Sequence, residues 1–128
     1  MIEQADLVGD WDNAAGAWLH VADDHSAAVS GLNHAVPDTK CPATVSDAAW
    51  QFWVRDGAPG SYTASDSATK GGSFTLALKT TTADPAERCD VDVKVRRDDR
   101  GFNLCLVMDP DQTCAAGELL RKVAARPQ

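Results

Sequence analysis

This chain has one isoleucine, one tyrosine, twelve basic residues against nineteen acidic ones, and no long apolar run. Each shortage excludes something. A formal charge of −7 and a sequence pI near 4.7 leave no basic footprint for nucleic acid or an anionic membrane surface. A membrane-spanning helix needs about 18 or more consecutive apolar residues, and no segment approaches that. Met1-Ile2-Glu3-Gln4-Ala5-Asp6 lacks the basic start and apolar stretch of an export signal, so an exported protein would carry that segment upstream of Met1. No cysteine belongs to a C-x-x-C pair, which argues against a zinc site or a thioredoxin-type redox motif. There is no G-x-S-x-G elbow. His20, His25 and His34 match no metal-ligand spacing. Asp109 and Asp111 lack the glycine and distal glutamate of a calcium loop. The expectation is a non-enzymatic protein with no metal and no cofactor.

What is present is period-two alternation. The 128 residues suit one domain, over 1–124, with 125–128 as a frayed tail. Leu7 to Trp11 opens as a short strand. Ala17–Val21 and Ala27–Leu32 form a hairpin around the polar turn Asp23 to Ser26. Pro37 and Pro42 break residues 33–46 into irregular chain. Ala48, Trp50, Phe52 and Val54 share one face, and so do Phe74, Leu76 and Leu78. Val91, Val93 and Val95 alternate with charged residues. Asp98-Asp99-Arg100-Gly101 is a tight hairpin turn in which Gly101 suits a positive φ. Phe102, Leu104, Leu106 and Met108 line the returning face. Residues 118–123 fit a short helix or a closing strand; a closing strand is preferred because it leaves no open edge. The Gly-, Ser- and Asp-rich stretch 55–72 reads as a long mobile loop. The fold class is all-β: an up-and-down antiparallel barrel of seven or eight strands.

No charged residue interrupts the inward faces. A barrel of this size is filled by its own side chains, or else encloses an apolar cavity for a lipid-like ligand. Four cysteines, Cys41, Cys89, Cys105 and Cys114, read as two disulfides and hence as an oxidising compartment. Cys89 shares the face of Val91 while Cys105 lies on the other face of its strand, so a Cys89–Cys105 bond would need a bulge. Cys105 and Cys114 flank the short Asp109–Gln112 turn. The pairing expected is Cys105–Cys114 with Cys41–Cys89, each worth roughly 2–4 kcal/mol. Four tryptophans remain to be placed. Trp50 belongs to the core. Trp18 and Trp53 point outward, where, with Tyr62, they offer an aromatic binding surface.

Leu7-Val8-Gly9-Asp10-Trp11 resembles the G-x-W opening of the calycins, the lipocalin, fatty-acid-binding and streptavidin-like barrels. The whole layout also resembles uncharacterised small secreted lipoproteins of actinobacteria, through that opening, a cysteine before a Trp-containing strand and a late D-P-D turn. The scarcity of Ile fits high-GC bacterial coding. The calycin resemblance implies that Trp11 closes the barrel floor beneath a basic side chain of the last strand, here Arg121, a cation–π contact worth ~0.5–2 kcal/mol. The function expected is a secreted or surface-tethered binding domain, extracellular or on the outer face of the cytoplasmic membrane, with any lipid anchor upstream. Alternatives are a carrier of a small apolar ligand, or an inhibitor of an extracellular enzyme that presents the 55–72 loop.

Overall fold

The computed structural model describes residues 2–36, 41–55, 58–59, 63–65, 67–78, 89–108 and 112–123. Its elements in chain order are β1 (Ile2–Glu3), the helical turn α1 (Gln4–Leu7), β2 (Gly9–Asp12), β3 (Trp18–Val21), β4 (Ser26–Ser30), β5 (Val45–Arg55), β6 (Ala58–Pro59), β7 (Thr63–Ser65), β8 (Lys70–Gly71), β9 (Ser73–Leu78), β10 (Cys89–Asp98), β11 (Gly101–Val107) and β12 (Leu120–Lys122). Eight of these close a barrel. β2, β3, β4, β5, β9, β10, β11 and β12 each pair antiparallel with the next, and β12 returns to β2. This is the expected all-β up-and-down barrel, the architecture that the calycin resemblance implied. The segment left open between helix and strand closes the barrel as β12, preceded by a 3-10 turn at Ala116–Glu118.

The alternation read from the sequence sets the faces. Along β5, Ala48, Trp50, Phe52 and Val54 are buried. They meet their counterparts directly across the ladder: Trp50 opposite Leu76, Phe52 opposite Phe74, and Val93 between Phe74 and Leu106. Three aromatic rings interlock edge to face inside the barrel, Trp50–Phe52 at 5.1 Å, Trp50–Phe74 at 6.0 Å and Phe52–Phe74 at 6.4 Å between centroids. That is the geometry in which ring quadrupoles attract. Each such side chain contributes about 1.5–3 kcal/mol through burial.

Chain segments plug both mouths. At the first, β1 pairs with β8, Gln4 N–H donates to the Thr69 carbonyl at 2.8 Å, and Ile2 and Leu7 are fully buried. At the other, Leu32, Ala35, Val36 and Cys41 cover the core, and Cys41–Cys89 ties them to β10. The second disulfide is Cys105–Cys114, so the expected pairing is the one found.

Four sequence readings need correction. Residues 4–7 are a helical turn, and the opening strand starts at Gly9. Met108 is not the last inward residue of its strand; it is exposed, because β11 ends at Val107. β11 is instead buried on both faces, since Asn103, Cys105 and Val107 on its outer side are also covered. The returning 112–118 segment lies over it, held by the disulfide, by Lys94 Nζ donating to the Gln112 carbonyl (2.9 Å) and by Met108 N–H donating to Gln112 Oε1. Lastly, part of the 55–72 stretch is sheet, because β7 pairs with β5 and β8 with β1. Residues 124–128, and with them the tail, lie outside the described residues.

Candidate functional site

The first mouth carries the most chemistry. α1, the 98–101 turn and the end of β12 meet around a cleft of about 440 Å³ lined by Asp6, Trp11, Arg100, Phe102, Arg121 and Lys122. Trp11 is its floor. The indole is fully buried, and Nε1 donates to the Leu7 carbonyl at 2.9 Å, which fixes the ring against the turn that precedes its strand.

The cation over Trp11 is Lys122, one residue beyond the expected Arg121. Lys122 Nζ stands 6.0 Å from the ring centroid and donates to the Asp6 carbonyl at 2.7 Å. Strand parity explains the shift. Leu120 faces inward opposite Leu104, so Arg121 faces outward opposite Asp12, and Lys122 faces inward opposite Trp11. Gly9 completes the arrangement. It shares the face of Trp11, its φ is +138°, and a Cβ there would meet Lys122 Cε at 3.0 Å. In this chain the G-x-W spacing leaves room for the lysine stem to cross β2 on its way to the indole.

Arg121 closes the barrel by another route. Its guanidinium grips both Asp98 oxygens, at 3.2 and 2.6 Å, the two-pronged geometry of the stronger charge-assisted pairs. Asp98 also accepts from Arg100 N–H (2.9 Å) and from Asn103 Nδ2 (3.2 Å). Arg121 foremost, with the Arg100 amide behind it, holds the Asp98 carboxyl down to about 2, and Asp98 in turn raises Arg121. The hairpin tip is thereby clamped to the closing strand. Across the same hairpin, Arg97 lies over the Phe102 ring at 5.2 Å.

Trp18 and Trp53, two members of the expected aromatic surface, stand apart on the barrel. Trp18 pairs with Ser30, whose neighbour Val29 pairs with Val45, whereas Trp53 stands eight residues farther along β5 (53 − 45 = 8). At about 3.3 Å per residue that is roughly 26 Å of strand. Trp53 Nε1 is engaged by Asp92 Oδ1 at 3.2 Å. Trp18 stacks at 6.1 Å on His20, whose Nδ1 meets Asp10 Oδ1 at 2.7 Å. Tyr62 lies outside the described residues, as do Asp109 and Asp111. His25 stacks on Trp50 at 4.4 Å in the β3–β4 turn, and His34 lies beside Gly16, so each histidine has its own surroundings. Among the described residues, no helix is long and apolar enough to cross a membrane.

No family model, curated protein or solved structure matches this chain. The cleft therefore has to be read from its own residues. Sequence reasoning passed over Arg100, Phe102 and Lys122 because Arg100 looked like turn filling and Phe102 like core. Only the ring closure brings them to Trp11.

Proposed function

We propose that this chain is a non-enzymatic binding domain of an exported protein, secreted or tethered to the outer face of the cytoplasmic membrane. It meets its partner with its exterior and uses the barrel interior only as core. The observation that carries this reading is the side-chain packing inside the barrel among the described residues. The Trp50, Phe52 and Phe74 rings interlock across it, and Ile2 and Leu7 at one mouth and Leu32 at the other are fully buried. A carrier of an apolar ligand needs a cavity where these side chains stand. The inhibitor reading loses support because part of the 55–72 stretch is paired to the barrel. Two disulfides support export, since such bonds persist in oxidising compartments. The resemblance to small secreted actinobacterial lipoproteins agrees with export.

The test is titration with a dansylated fatty acid, alongside native mass spectrometry of the oxidised protein. The expected result is a bare polypeptide mass and no saturable dansyl emission that depends on Phe52 or Phe74. One equivalent of fatty acid, lost on replacing Phe52 or Phe74, would overturn the reading in favour of a carrier.

A further inference from the structure

The mouth cleft stands out by its charge. Arg100, Arg121 and Lys122 line it with one acid, Asp6, on a chain whose total is −7, and Arg97 and Asp98 contact that lining. These charges are not equally committed. Arg121 is neutralised by Asp98, and Arg97 lies over Phe102. Lys122 is held in place by a backbone carbonyl and the Trp11 ring, neither of which cancels its charge. The Arg100 side chain makes no hydrogen bond or ion pair among the described residues, although its backbone amide is fixed by Asp98. The cleft therefore presents two uncancelled cations on a preset frame, with the partly buried Phe102 ring as an apolar wall. With Asp6 in the same lining, Arg100 and Lys122 leave a net single positive charge, which one acid group balances.

We propose that this cleft binds a small organic monoacid. Its carboxylate or phosphate sits between Arg100 and Lys122, and its apolar body rests against Phe102. A volume of about 440 Å³ falls within the range of small-molecule sites, roughly 300–1,000 Å³. A guanidinium and an ammonium are the donors that recognise such an oxyanion. The proposal deepens the exterior-binding reading and rests on it. Failure to bind acids leaves that reading standing, whereas a fatty acid inside the barrel would defeat that reading and is told apart by its dependence on Phe52 and Phe74.

The experiment is a ¹H–¹⁵N NMR titration of the oxidised protein with benzoate, phenyl phosphate, inorganic phosphate and uncharged benzamide. The expected result is saturable shifts centred on Asp6, Arg100–Phe102 and Arg121–Lys122, with a Kd below about 1 mM for benzoate or phenyl phosphate. Whichever of the two binds tighter identifies the acid group. Arg100→Gln, in an exposed turn, should weaken binding about tenfold, while Arg96→Gln on the outer face of β10 leaves it unchanged. The proposal is overturned by benzamide binding as well as benzoate, by inorganic phosphate binding as tightly as phenyl phosphate, by equal loss in both arginine variants, or by shifts elsewhere on the barrel.

Discussion

Consider two double variants, Cys41→Ala with Cys89→Ala, and Cys105→Ala with Cys114→Ala. The first pair spans 48 residues and the second 9. A cross-link stabilises largely by removing loop entropy from the unfolded chain, and that entropy grows with the logarithm of the span. At 25 °C the long link is then worth about 4 kcal/mol and the short one about 2.6 kcal/mol, a difference of about 1.5 kcal/mol. Cys41 and Cys105 are both buried, so each variant also loses a sulfur from a packed site. Those losses are similar and largely cancel in the comparison. The assay is equilibrium urea unfolding followed by tryptophan fluorescence. The Cys41/Cys89 variant should unfold at lower urea, with the larger rise in m-value because its unfolded chain is freer. Equal losses, or a greater loss from the local pair, would refute the reasoning. Together the two links amount to roughly 6–7 kcal/mol, comparable to the whole stability of an ordinary domain, about 5–15 kcal/mol. That magnitude is why the cysteine pairing bears on compartment.

Phe52→Ala should destabilise by about 3–5 kcal/mol in the same assay, because the fully buried ring leaves a cavity between Trp50 and Phe74; a loss under 1 kcal/mol would mean that the interior is not packed as described. Gly9→Ala should cost about 1–3 kcal/mol from backbone strain at φ +138°, with further cost from pushing Lys122 off Trp11. Strict additivity with Lys122→Ala would contradict that contact. Asp98 has a depressed carboxyl, about 2 against an ordinary 3.8. Its contribution is therefore complete above the unfolded value and is lost as the pH falls from about 4 through 2. Urea midpoints should decline over that window more steeply for the native chain than for Asp98→Asn, and parallel declines would remove the clamp from the account.

The sequence by itself determined whatever depends on neighbours along the chain. Alternation over Ala48–Val54, Phe74–Leu78 and Val91–Val95 specified the faces, because successive strand residues point to opposite sides. Asp98–Gly101 specified its own turn, with Gly101 at φ +104°. Strand parity on either side of that turn put Cys89 and Cys105 on different faces, and the short 109–112 turn put Cys114 near Cys105 along the chain; the two together pointed to the pairing found. The tertiary structure alone decided what depends on register between distant strands. β12 meets β2 more than a hundred residues away in sequence, and a slip of one residue exchanges every inward side chain for an outward one. Nothing local to Arg121-Lys122 distinguishes the two residues. The pairing of Leu120 with Leu104 does, and it sends Lys122 to Trp11 and Arg121 to Asp98. The same physics separated Trp18 from Trp53. It also brought Arg100, Phe102 and Lys122 to Trp11 at one mouth, because the closing strand β12 lies between β11 and β2.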